Sequence, residues 1–569
     1  MDRTRIQSPA RPSAPGAPAP APASPRAAAR ASAPAPPPAA EDPAVPPAFD
    51  TGVPALLLRL DPNPFHHGTL GAIRSLGRAG VEVHAFVESA RDPAGHSRYL
   101  HRAYGMPRGP VTPERLAAVL RRTADRIGRP AVLVPMDDLS AVLAPPVTAR
   151  LGGRYLLPAQ PAGLAASVAD KELLAALCQR LDIPHPRTVV PADAAEAAAA
   201  TTELGPPVVA KWSRPWLLPG AASGLRSTTL LRGPDEARRL YARSREAGSR
   251  LLLQARLPGG RGADWFFHGC FTATAGCLGG GAGRKDLAWP AGAGLTAVGS
   301  WLPNPVVEAT AARLAAHLGY RGILDLDFRF DPVSGTYHLL DFNPRPGAQF
   351  RIFADADADG AGLDVVRALH LDLTGRAAAV VAAAPRRSDG AVRCHGRAPD
   401  AGRVFVAENY ALLSSLASLA AAARGPAARD GRSDGRSDGR TGPLGLVRAA
   451  RGPAGERTQR EAAWFAGDDP APFAAMALAW GGHGVRKGLH RLARARRGRG
   501  AAPESRPPVG SAAVPDVDAA PRSDTARGGN AAPRRGTAPR GATAPGSDAA
   551  PQHSDHSTRK DGNQTCSTC

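Results

Sequence analysis

The stretch Leu324–Gly347, LDLDFRFDPVSGTYHLLDFNPRPG, reads as two short strands joined by a turn. In LDLDF, Asp325 and Asp327 fall on one face and Leu324, Leu326 and Phe328 on the other; in YHLLDFN, Asp341 and Asn343 again share a face. Residues Asp331 to Gly335 supply Asp-Pro and Ser-Gly turn chemistry, so pairing through them brings Asp327 close to Asp341 and Asn343. The product is a set of hard oxygen ligands of the kind Mg²⁺ takes beside nucleotide phosphates, with Arg345 next to them. Taken alone, an acidic hairpin is most simply a solvated face. These acids, however, stand among Leu, Ile and Phe, where an unpartnered carboxylate is costly, so the pattern demands a bound cation or an arginine partner.

The segment resembles the metal-binding end of the ATP-grasp ligases, in which an acid on one strand and an E-x-N-P-R-like motif on the next hold two Mg²⁺ ions. The resemblance makes Asp327, Asp341 and Asn343 the metal ligands, with Mn²⁺ an acceptable substitute, and Arg345 a catalytic cation. Asp341 departs from the pattern, because the family commonly has Glu there. A carboxylate one methylene shorter still ligates, but it can change which ion is bridged.

Lysine is a sensitive tracer for the rest of such a site, because the chain has nearly abandoned it for arginine: only Lys171, Lys211, Lys285, Lys487 and Lys560 remain. Lys171 lies in ASVADKELLAALCQRLDIPHPRTVV, an amphipathic helix opened by Ser167 or Asp170 and followed by a Pro-punctuated turn. Lys211 ends the apolar run PPVVAK, as suits a strand that delivers an ammonium to phosphate oxygens. Both fit the family's nucleotide-contacting lysines. For Lys487 and Lys560 chance retention is the simpler reading.

After Lys211, the loop from Gly220 to Ser227 carries small residues, hydroxyls and Arg226, and can fold backbone N–H groups over phosphates; Gly224, Arg226 and Ser227 are its candidate contacts. The next strand, RLLLQARLPGGRGADWFFHG, resembles the family's adenine-reading hinge, which implies roles for Gln254, Leu257 and Gly259, and for Asp264 on the ribose. Ala255 stands where an acid is usual, and two extra glycines precede Asp264. Arg284 and Lys285 read as a positive pair flanked by loops, placed to meet a γ-phosphate or a substrate carboxylate. Gln349 and Arg351 follow the acidic hairpin as candidates for orienting an acyl acceptor.

Formal net charge is +21 over 569 residues and the pI is about 10.8. The excess is nearly all arginine in Ala/Pro/Gly-rich sequence with little aromatic interleaving, so no specific nucleic-acid partner is expected. Residues 1–50 and 496–569 are too poor in apolar residues to offset ordering entropy and read as disordered tails, and RDGRSDGRSDGRTG lies in a low-complexity linker at about 424–457. Of six cysteines, Cys178, Cys270, Cys277 and Cys394 read as reduced core residues, and Cys566 and Cys569 form a terminal C-x-x-C with His553 and His556 nearby. No run reaches the ~20 apolar residues of a membrane span, and residues 409–423 read as a buried helix; no secretory h-region precedes them, so a cytoplasmic protein is expected.

The folded part opens with PALLLRL, then a loop, a helix and a second strand; a helix at Pro113 to Gly128 and the strand PAVLVPMDD extend this β-α-β unit into a parallel sheet. No G-x-G-x-x-G is present, so a dinucleotide is not indicated. His66, His67, Asp137 and Asp138 fall at strand C-terminal ends, where ligands settle in open α/β sheets, although capping or packing suits His67 better. The expected architecture is α/β and α+β: a Rossmann-like lobe over 51–150, an ATP-grasp domain over 151–375, and a helical appendage over 376–495. The resemblance implies an ADP-forming carboxylate–amine ligase with ATP, a small carboxylate and an amine as substrates. A non-catalytic ATP-binding regulator and an ATP-grasp carboxylase or metabolite-activating enzyme are the alternatives, and the substrates and oligomeric state are left open.

Overall fold

A computed structural model describes residues 49–89, 91–220, 223–260, 262–273, 276–290, 294–354, 363–379, 403–423 and 459–482. Residues 1–48 of the N-terminal tail, the C-terminal tail, the linker at 424–457, Lys487, Lys560, Cys394 and the terminal cysteine and histidine pairs lie outside the described residues.

The first sheet is wholly parallel. Its strands are β1 (Ala55–Leu58), β2 (Val83–Val87), β3 (Arg102–Gly105), β4 (Ala131–Pro135) and β5 (Tyr155–Leu156), in the order β3-β2-β1-β4-β5. Strand β1 is an unbroken apolar run because helices cover both faces of the sheet. Helix Pro113–Ile127 is capped by Thr112 and stopped by Gly128 at φ 77°, a left-handed geometry suited to glycine.

The second sheet is antiparallel, ordered β6-β9-β7-β8, from β6 (Thr188–Val189), β7 (Val208–Trp212), β8 (Thr228–Leu231) and β9 (Leu251–Gln254). The third holds seven strands: β10 (Asp264–Phe271), β11 (Cys277–Trp289), β12 (Leu295–Trp301), β13 (Gly322–Asp331), β14 (Thr336–Asn343), β15 (Arg403–Val406) and β16 (Gln459–Ala462), ordered β14-β13-β10-β11-β12-β15-β16. This is the expected α/β and α+β class, a parallel N-terminal sheet followed by antiparallel ones. One face of the third sheet packs Phe267, Leu324, Leu326, Phe328 and Phe342 against helix Pro305–Leu318. Each such side chain, fully buried, contributes roughly 1.5–3 kcal/mol.

The C-terminal part holds a helix at Glu408–Ala423, where one was expected, and adds two strands to it. RVFV is β-branched and aromatic, pairs as β15 with β12, and carries β16 in parallel beside it. Phe405, Trp464 and Met476 enter the same core as Leu70, Ile73 and Phe353. Buried Arg74 of helix His67–Arg78 clamps this segment through Asp469 Oδ2 at 2.9 Å and the carbonyls of Trp464 and Asp469 at 2.8 Å. Cysteine usage also differs: Cys178 and Cys270 are buried free thiols, but Cys277 is disulfide-bonded.

Arg351 is part of this framework. Its Nε donates to Glu461 Oε1 at 2.6 Å, and Arg403 stands 3.8 Å from the same carboxylate. Burial opposes ionisation of Glu461, yet the two arginines hold its carboxyl below the usual range. The stability it contributes is therefore fully present above pH 4.5, its ordinary value, and is lost as pH falls through the lower folded value. We expect Glu461→Gln to cost about 3 kcal/mol at pH 7, as for a broken buried pair, and the gap from the parent to close on acidification in denaturant melts. A gap constant from pH 7 to pH 3 would contradict this.

Candidate active site

Strands β13 and β14 pair in the expected register, Asp327 opposite Asp341 and Asp325 opposite Asn343. One irregularity lies between Asp327 and Phe328: Phe328 pairs with Leu339, so Leu340 is an extra residue on β14. The bulge explains the Leu-Leu doublet. It lets Leu339 and Phe342, of opposite parity, both face the core, and it leaves the Leu340 carbonyl free to accept from Lys211 Nζ at 3.0 Å.

Two lysines converge on one oxygen. Asp170 caps helix Lys171–Arg180 by accepting from the N–H groups of Glu172 and Leu173, and the Lys171 backbone N–H donates to Ser213 O at 2.8 Å. This holds Lys171 at the first helical position, with Nζ 2.9 Å from Asp341 Oδ1. Lys211, near the end of β7, brings its Nζ to 3.1 Å from the same atom. Burial disfavours the charge of Asp341, but Lys171 and Lys211 outweigh it and hold the carboxyl well below its usual range. The two ammonium groups respond oppositely. At Lys171 the attraction of Asp341 overcomes burial and raises the pKa, whereas at Lys211 burial, aided by repulsion from Lys171, lowers it.

Lys285 Nζ stands 2.6 Å from Asp327 Oδ1. Arg345 joins two sheets: its Nε is 2.9 Å from Asp138 Oδ1, just beyond β4, and one terminal nitrogen is 3.4 Å from Asp325 Oδ2. Asn343 Nδ2 donates to that same Oδ2 at 3.3 Å. Four carboxylates, Asp138, Asp325, Asp327 and Asp341, thus meet four cations, Lys171, Lys211, Lys285 and Arg345. Burial, reinforced by Asp327, raises Asp325 to about 7. Its Oδ1 is buried without a hydrogen bond; His268 Nδ1 lies 3.3 Å away but not in hydrogen-bonding geometry. An orphaned carboxylate oxygen beside Asp327, Asp341 and Asn343 fits a hard divalent cation. The motif must end in glycine, because a Cβ on Gly347 would fall 1.9 Å from His268 Cε1.

The other sequence candidates are distributed as follows. Gln254 is buried at the end of β9, where its Nε2 donates to Thr188 Oγ1 at 3.0 Å and stands 3.1 Å from His185 Nε2. Leu257 is half-buried beyond it. Asp264 is held by Arg329 Nε at 2.7 Å. Gly224, Arg226 and Ser227 are exposed in the β7–β8 loop, which meets β8 at Thr228, opposite Lys211. Arg284 and Lys285 lie within β11, where neighbours point to opposite faces, so the pair read as one element is split. Lys285 faces the acids, while Arg284 pairs with Asp286 at 2.8 Å on the other side. Arg351 is engaged by Glu461, and Gln349 is buried beside it.

At the end of the parallel sheet, Asp137 is a helix cap in a reciprocal box with Ser140, and Asp138 alone reaches the cluster. His66 caps helix His67–Arg78, while His67 is buried against Phe405, Tyr410 and Trp464. Two histidines escaped the sequence reading. His268 shares the parity of Asp264 on β10, and burial lowers it to about 3. His185, in IPHPR, connects the Leu339 carbonyl at 2.7 Å to Gln254, and burial lowers it to about 4. A histidine on the inward parity of a strand and one framed by prolines were the available signals.

No protein-family model matches the chain, and no curated protein matches it. Among solved structures it is similar to the biotin carboxylase domain of 2-oxoglutarate carboxylase from Hydrogenobacter thermophilus, in complex with MgADP, ADP and bicarbonate, at 16% identity over 56% of this chain and 69% of that one, with a TM-score of 0.42. The L-amino acid ligase of Bacillus licheniformis matches at 13% identity over 56% and 74%, with a TM-score of 0.42. The N5-carboxyaminoimidazole ribonucleotide synthetase of Thermus thermophilus matches at 16% identity over 56% and 78%, with a TM-score of 0.40.

Proposed function

We propose that this chain is an ATP-grasp enzyme that activates a carboxylate with ATP and couples it to an amine, releasing ADP and phosphate. The observation that carries the reading is the meeting of Lys171 and Lys211, from two different elements, on one oxygen, Oδ1, of Asp341, the residue paired opposite Asp327. A structural salt bridge needs one lysine. Two on one carboxylate, in a chain that retains five in all, leave cationic capacity that a triphosphate would take up.

In this reading Asp327, Asp341 and Asn343, with Asp325, hold Mg²⁺, which neutralises charge on the phosphates. Lys171 and Lys211 exchange Asp341 for phosphate oxygens, and Lys285 likewise turns from Asp327 toward the transferred phosphoryl group. Arg345 stabilises charge where the carboxylate attacks. The amine then displaces phosphate from the acyl phosphate, with the lobes holding the reactants in line and excluding water. Gln254 and Leu257 border the base, and residues 51–375 form the catalytic unit with β15 and β16 extending its third sheet.

The test is phosphate release by the full-length protein with ATP, Mg²⁺ and panels of amino acids and amines. Release that requires both a carboxylate and an amine supports the ligase. Turnover with bicarbonate and one acceptor would replace it by a carboxylase, and tight nucleotide binding without turnover on any panel by a regulator.

A further inference from the structure

We infer that the parallel sheet carries a second metal site, for a late first-row divalent cation such as Zn²⁺, built from Glu82, His84 and His101. Glu82 immediately precedes β2 and shares a side of the strand with His84, two residues on. His101 immediately precedes β3, the neighbouring edge strand, and its backbone N–H donates to Val83 O at 2.8 Å. The pairing brings His84 Nε2 to 2.8 Å and His101 Nε2 to 3.8 Å from Glu82 Oε1, and the ligand atoms of all three lie within 4.8 Å of one another.

Two imidazoles and a carboxylate are the ligand chemistry of Zn²⁺ rather than Mg²⁺. Bonds of ~2.0–2.1 Å in tetrahedral array put ligand atoms roughly 3.3 Å apart. The present spacing brackets that value, and His101, 58% exposed, is free to turn inward. On binding, the proton that His84 Nε2 shares with Glu82 moves to Nδ1, where the Tyr104 hydroxyl oxygen, 3.4 Å away, accepts it and fixes the ring. A fourth position stays open to water.

A half-buried Glu82–His84 hydrogen bond alone would be an ordinary structural contact. What exceeds it is the third ligand, whose exposed ring meets the His84 ring edge-on and fills no core position. One group opposes the ion: Arg129 donates to Glu82 Oε2 at 2.9 Å. The site lies at the starts of β2 and β3, whereas the candidate active site lies at the far end of the same sheet, so binding and turnover can be read separately.

The test is Co²⁺ titration of the full-length protein after chelation, followed by visible absorption, with Zn²⁺ displacement. The parent takes up one more tetrahedral equivalent than His101→Ala, which keeps the parent's ADP formation. Glu82→Gln weakens that equivalent at least tenfold, and Arg129→Gln tightens it severalfold by removing the competing charge. Equal Co²⁺ uptake and spectra in the parent and His101→Ala would overturn the proposal, as would no tetrahedral uptake by the parent.

Discussion

Replacing Asp341 with asparagine lowers ATP-dependent phosphate release by at least a thousandfold. Asparagine keeps the shape and removes the charge, so the variant isolates what the carboxylate does. In the parent, Asp341 Oδ1 sits 2.9 Å from Lys171 Nζ and 3.1 Å from Lys211 Nζ. Neutralising it leaves two buried ammonium groups facing each other, and breaking a buried pair costs about 3–5 kcal/mol. Lys211 retains the Leu340 carbonyl, so part of that cost is recovered. The variant should therefore fold with a lowered Tm while losing the proposed metal ligand and the alignment of both lysines proposed to bind phosphate, which together exceed the 10²–10³-fold typical of one lost electrostatic contact. Binding separates these effects: on the proposed reading the parent should prefer ADP with Mg²⁺ over ADP alone, and Asp341→Asn should lose that preference. Asp341→Glu restores the charge with one methylene more reach and should recover a tenth or more of parental turnover. Parental turnover by Asp341→Asn would remove the acid from the proposed chemistry.

How far the sequence reached is visible in this same hairpin. The alternation of Leu and Asp set the register of Asp327 on Asp341, because a one-residue slip would bury the acids and expose Leu324, Leu326 and Phe328. The Leu340 bulge was written as a Leu-Leu doublet, yet nothing local said that its carbonyl would serve Lys211, 129 residues away. Arg284 and Lys285 show the converse limit. Their identity suggested a paired charge, but once the segment is a strand rather than a loop, adjacency in sequence means separation in space. The strand at Arg403–Val406 carried the right residues, but its partners, β12 and β16, lie far off in sequence or across a low-complexity linker, and non-local pairing leaves no periodic trace. Asp138 was legible as a strand-end residue and Arg345 as a cation beside the acids, whereas their pairing across 207 residues was not.

That Asp138–Arg345 contact supports the second large effect. Arg345→Lys should reduce kcat by roughly 10²–10³-fold while the Kd for Mg-ADP stays within threefold. Arginine spans Asp138 at 2.9 Å and Asp325 at 3.4 Å with different nitrogens of one planar group, a fork that a lysine ammonium cannot reproduce. Burial disfavours its charge, but Asp138 and Asp325 overcome this and raise its pKa above the ordinary guanidinium value, so it is cationic at every working pH. Its place by the C-terminal end of β4 puts it where small ligands settle on an open α/β sheet, apart from the Lys171–Lys211–Asp341 end that is proposed to hold the nucleotide. A loss confined to kcat would mean that Arg345 acts on the transferred group or the carboxylate, and not on nucleotide affinity. Asp138→Asn keeps the guanidinium but releases its orientation, so it should cost about tenfold, and the double variant should be little worse than Arg345→Lys alone. Coupling of that kind, of order 1–2 kcal/mol, identifies Asp138 as a positioning residue acting through Arg345. Strict additivity of the two losses would instead mean that the Rossmann-like lobe contributes its carboxylate independently, and the bridge between the lobes would then be a packing contact without a catalytic consequence.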